Sequence, residues 1–122
     1  LISNVSILFP GGGTEELAAI EVPEDAKRYP EQSFFGELPA YALYARHVKE
    51  LRFHDCVFKY KDAEQRPAVV LDDVQDSEFD LIRMMSPVGS QPLIKTSNSE
   101  NLVFDRIRSL NKGSIAIEQA EN

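Results

Sequence analysis

"YALYARHVKELRFHDCVFKYK" (residues 41–61) holds two alternating apolar–polar runs on either side of one short polar corner. Leu43 and Ala45 alternate with their neighbours in the first run, and Leu51 and Phe53 in the second. A period of two belongs to strands, because successive side chains point to opposite faces of an extended chain. "AVVLDDVQDSEFDLIRMMS" (68–86) then writes the same shape again.

Working outward from these two stretches, the phenylalanines set the spacing. Phe53, Phe79 and Phe104 stand 26 and 25 residues apart, and three positions after each comes Cys56, Ile82 or Ile107. "ALYARHV" (42–48) matches "AVVLDDV" (68–74) at a shift of 26, and "LIKTSNS" (93–99) follows at 25. "NVSILF" (4–9) resembles "ELRFHD" (50–55) in pattern and suggests a partial unit at the start. Short strands in a recurring unit of this length predict stacked β coils, in which each unit closes its core only against its neighbours. Coils stacked about 4.8 Å apart would place Phe53, Phe79 and Phe104 over one another. Each ring would then contribute about 1.5–3 kcal/mol by burial. A β-sandwich is the alternative, since its turns recur every 8–12 residues or so; two separate blocks sharing one offset favour the solenoid.

"PGGGTEELAAIEVPEDAKRYPEQSFFGELPA" (10–40) interrupts the period. Its glycines and prolines predict a long loop, with one helical turn at "TEELAAI" capped by Thr14. Long loops in compact repeats tend to be functional or to cover an edge. The tail 111–122 offers one last strand, Ile115 to Ile117.

At 122 residues the chain makes one domain. Its apolar runs of four or five residues are far below the roughly 20 that span a bilayer. A net charge of −7 argues against nucleic acid or an acidic membrane surface as a partner. The single cysteine excludes an internal disulfide and leaves the compartment open. Leu1 opens directly into a strand-like run, which reads as a cut inside a larger protein or a chain trimmed upstream.

Little catalytic chemistry can be assembled from these residues. Asp72-Asp73 is the obvious carboxylate pair, but adjacent strand residues point apart unless a bend intervenes, so a solvated corner between two strands is expected. His47 and His54 lack further ligands at metal spacing, and no cofactor motif occurs. Cys56 shares its slot with Ile82 and Ile107 and is expected to be a small buried hydrophobe. Tyr29, Phe34, Phe35 and Tyr41 crowd one window of the loop, where they suit either sugar rings or anchoring of the loop; for Tyr41 both roles stay open.

"ISNVSILFPGGGTEE", "YPEQSFFGELPAYALYARHVKELRF" and "RPAVVLDDV" resemble the C-terminal coils of family-28 glycoside hydrolases, the polygalacturonase-like group, most closely the variants common in gut Bacteroidetes. The resemblance covers residues 2 to about 75 and implies an all-β, right-handed parallel β-helix of the pectin-lyase-like type. Here it would be partial: about four coils in one domain spanning 1–122, with the loop inserted at 10–40. The family cleaves pectic polysaccharide with three aspartates in N-x-D and D-D motifs, supported by G-H-G and R-I-K. This chain lacks them in context; Asp72-Asp73 follows the P-G-G-G phrase, whereas the family's D-D precedes it. The resemblance therefore implies a non-catalytic C-terminal segment of a secreted or periplasmic hydrolase, without cofactor or metal. It also implies a substrate-binding role for Tyr41 on the leaving-group side, with Ala42 standing where glycine is usual. The competing reading is a module that binds oligogalacturonides or pectic polysaccharide, or forms a homo-oligomer through open strand edges.

Overall fold

A computed structural model of the chain describes residues 1–19 and 38–120. The described residues are mostly β, with all their strands in one sheet of parallel pairs and a single short helix among them. Strands β1 (Ile2–Gly11), β3 (Arg52–Asp62), the second half of β4 (Val69–Met84) and β6 (Glu100–Ser109) form one ladder. In the other ladder, β2 (Leu43–Lys49) meets the first half of β4, followed by β5 (Ile94–Ser97) and β7 (Ile117–Ala120). Among the described residues no helix is long and apolar enough to cross a membrane.

The register reproduces the spacing seen in the sequence. Phe53 pairs with Phe79 and Phe79 with Phe104; Cys56 pairs with Ile82 and Ile82 with Ile107. The rings of Phe53 and Phe79 stack at 5.3 Å and 9°, those of Phe79 and Phe104 at 5.3 Å and 22°. Leu43 lies on Val69 and Val69 on Ile94. Parallel pairing at a constant offset brings like residues together, so apolar columns become a continuous core.

Burial follows from position in the stack. Leu71, Val74, Phe79, Ile82, Met84 and Ile94 belong to repeats with neighbours on both sides, and all are buried. β1 and β6 have a partner on one side only, and along both strands exposed positions alternate with half-buried ones. Cys56 is fully enclosed, as its slot predicts.

Positive-φ residues make the corners. His47, Asp73 and Asn98 fall in one column, Glu50, Asp76 and Asn101 in a second, and Asn4, Asp55, Leu81 and Arg106 in a third. A left-handed residue other than glycine costs about 1–2 kcal/mol, least for Asn and Asp, whose short polar side chains bond locally. Six of the ten are Asn or Asp. At Asp73 and Asp76 the chain turns without leaving the sheet, so β4 runs for 16 residues and serves both ladders, whereas at Glu50 and Asn98 the turn separates β2 from β3 and β5 from β6.

Three expectations need correction. "NVSILF" does not align on "ELRFHD": Ile2 sits on Phe53 and Val5 on Cys56, an offset of 51, or one 26-residue repeat plus 25 inserted residues. Asp72-Asp73 does form a corner with Asp73 partly exposed, but it lies within β4, bent at Asp73 (φ 54°), rather than between two strands. The last strand is Ile117–Ala120 rather than Ile115 to Ile117. Thr14 does cap a helical turn, α1 (Glu15–Ala18), its hydroxyl accepting from the Leu17 N–H. Tyr29, Phe34 and Phe35 lie outside the described residues.

Candidate functional site

At the end of β1 the chain meets the start of β2 around a cavity of about 460 Å³. Its walls include Phe9, Leu17, Ala40, Tyr41, Tyr44 and Arg66, together with the Pro10–Gly13 main chain. Gly11 and Gly13 are required by what they touch. Gly11, at φ 77°, lies against the Asp62 carbonyl, where any side chain would collide. A side chain on Gly13 would run into the Arg66 guanidinium and the Glu64 carboxylate.

Behind that glycine run sits a buried ion pair. Arg66 donates from Nε to Glu64 Oε2 and from Nη2 to Oε1, each at 2.8 Å, and its backbone N–H donates to Oε2 at 2.9 Å. Nη1 donates to the Leu38 carbonyl at 3.0 Å. Glu64 is inaccessible to solvent and Arg66 is 9% exposed. Burial by itself would raise the Glu64 carboxyl. The hydrogen bonds and charge of Arg66, with the Gly13 N–H, outweigh it and hold the group below its ordinary range.

Tyr41 precedes β2 and is buried beside β3 and the Met85 segment. Its ring meets Phe9 edge-on at 5.8 Å and Tyr60 at 5.3 Å. Its hydroxyl donates to the Met85 carbonyl at 2.6 Å. Burial, and then Tyr60 and Glu64, push that hydroxyl well above its usual range, so it stays protonated. Tyr60 in turn donates to the Ser86 carbonyl at 2.7 Å, and Asn111 donates to both Ser86 O and Tyr60 Oη. Tyr41 thus lines the cavity with its ring while its polar end anchors the wall. Phe9 and Tyr44 are the half-buried aromatic residues of the wall, and the Arg46 guanidinium lies 5.8 Å from the ring centre of Tyr44.

Sequence reasoning singled out Tyr41 and missed Tyr44, Glu64 and Arg66. Tyr44 sits at the outward position between Leu43 and Ala45, which alternation alone marks as surface. "AEQRP" carries no motif for a buried pair; the neighbouring "GGG" was the available signal.

The other candidates are occupied elsewhere. Asp72 accepts from Arg46 Nε at 3.0 Å, Ser97 Oγ at 3.3 Å and Asn98 Nδ2 at 3.2 Å. Asp73 accepts from His47 Nδ1 at 2.6 Å and Gln75 Nε2 at 3.0 Å. His54 Nδ1 reaches Asp80 at 3.2 Å, which also receives two bonds from Arg106. Apart from the local bond from Gln75 to Asp73, these contacts join residues 25 or 26 positions apart and tie one repeat to the next. Among the described residues no group of histidines, cysteines or carboxylates could hold a metal.

The carboxylates do predict an acid response. The bond from His47 draws Asp73 below its ordinary 3.8, and the bond from Arg106 does the same for Asp80. A folded value below the unfolded one gives stability that is complete above the unfolded value and lost as pH falls through the folded one. Urea midpoints should therefore hold steady above about pH 5 and decline as pH drops through 4 and below. Asp80→Asn should flatten that decline; an unchanged slope would show that the Arg106 contact is absent in solution.

No family model, no curated protein and no solved structure matches this chain.

Proposed function

We propose that the chain is a C-terminal segment of a polygalacturonase-like glycoside hydrolase, wound as a partial right-handed parallel β-helix of about four coils. In this reading it supplies coils and one wall of the substrate groove, and the hydrolytic aspartates belong to other coils of the parent. The cavity at the "PGGG" phrase is the observation that carries it. Tyr41 and Tyr44 line a space of a size usual for small-ligand sites, at the position where the resemblance expects a subsite tyrosine. The in-register parallel columns support the winding. The committed state of Asp72 and Asp73 supports a non-catalytic role, since inverting hydrolysis needs two carboxyls about 6.5–9.5 Å apart across a water.

The purified chain should release no reducing ends from polygalacturonate or rhamnogalacturonan. It should bind pectic oligosaccharides with saturable change in tyrosine fluorescence, weakened about tenfold by Tyr44→Ala, the loss expected for one aromatic–sugar contact of roughly 1.4 kcal/mol. Hydrolysis by this chain alone, or no binding of any pectic fragment, would overturn the proposal.

Association through the end strands is a second reading, favoured by one observation. Ile2, Ile7 and Leu8 are exposed on β1, and Val103 and Leu110 on or beside β6, at the two ends of the same ladder. An open parallel edge with apolar side chains can accept another strand. Sedimentation equilibrium separates this reading from the first: mass that rises with concentration supports it, and a monomer throughout rejects it.

A further inference from the structure

The chemistry of the cavity wall says which kind of sugar residue it takes. We infer that it accepts an uncharged pyranose unit, such as a neutral sugar or a methyl-esterified uronate, and discriminates against the free uronate carboxylate. This rests on the pectic reading above and sharpens it.

Arg66 is the one cationic side chain among the described residues lining the cavity. Its charge is already matched by Glu64, which it grips with two parallel bonds, and a further donor is engaged by Leu38 O. A carboxylate entering here would meet a guanidinium whose charge is already cancelled by Glu64, which lies enclosed behind it. It would lose hydration and gain no unpaired cation in return, the costly case for burying a charge. Phe9, Leu17, Ala40 and the two tyrosine rings offer apolar surface that suits the C–H faces of a pyranose or an ester methyl. The chain's net charge of −7 acts in the same direction at long range.

Trigalacturonate and its fully methyl-esterified form differ in little except charge, so titrating the chain with each isolates the point. The ester should bind about tenfold or more tightly, one uncompensated charge being worth at least about 1.4 kcal/mol. The preference should persist in 0.5 M NaCl, a concentration at which long-range repulsion is screened beyond roughly 4–5 Å. Glu64→Gln should leave the guanidinium charge uncompensated and move the preference toward the acid; the two titrations of the native chain decide the matter even where that variant does not fold. Equal or tighter binding of the free acid, or a preference that vanishes in salt, would overturn this inference and leave the pectic reading standing. Binding of neither form would remove the pectic reading itself.

Discussion

Arg66→Met should destabilise the protein by about 3–5 kcal/mol, the cost expected when one partner of a buried ion pair is removed. The carboxylate left behind has no access to solvent and would lose both side-chain bonds. It must then sit uncompensated or take up a proton. Glu64→Gln should be milder, because a neutral amide can still accept from Arg66 and strands a cation that lies nearer the surface. The double variant Glu64→Gln, Arg66→Met should recover part of the loss of Arg66→Met, with a coupling energy above about 1 kcal/mol. Urea unfolding of the four proteins measures this directly. A loss below about 1 kcal/mol for Arg66→Met would mean that the pair is hydrated in solution and that the cavity wall is not built as described.

Phe79→Ala should cost about 3–5 kcal/mol, a large share of the stability of a domain of this size. Phe79 is stacked on both faces, against Phe53 and against Phe104, and only 4% of it is exposed. Phe104 has one ring neighbour and is half-exposed, so Phe104→Ala should cost markedly less. The order of the two losses carries the information, since it depends on the middle repeat being covered from both sides. Equal losses, or a larger one at Phe104, would show that the stack does not end where β6 ends.

The columns of the fold were legible because like residues recur where parallel strands pair. Phe53, Phe79 and Phe104, and with them Cys56, Ile82 and Ile107, could be read from spacing alone. Spacing failed across the insertion: nothing periodic survives between Gly11 and Leu43, so the match of β1 on β3 was set several residues out of register. It also hid the corners. Asp72-Asp73 reads as a corner between two strands, whereas a single left-handed residue at Asp73 turns the backbone and keeps it within β4. The candidate site was less legible than the fold. Tyr41 was found through resemblance, and its hydroxyl proves to be anchored to Met85. Glu64 and Arg66 are separated by one residue in a polar stretch, and only the close approach of Gly13 reveals that they are buried.

The stacking of equivalent residues 25 and 26 positions apart is most directly tested by nuclear Overhauser contacts between aromatic protons. Ring protons of Phe79 should show contacts to both Phe53 and Phe104, consistent with centroid separations of 5.3 Å, with none between Phe53 and Phe104. A spectrum of the folded chain in which Phe79 touches neither ring would refute the parallel register, and the cavity built on it would go too.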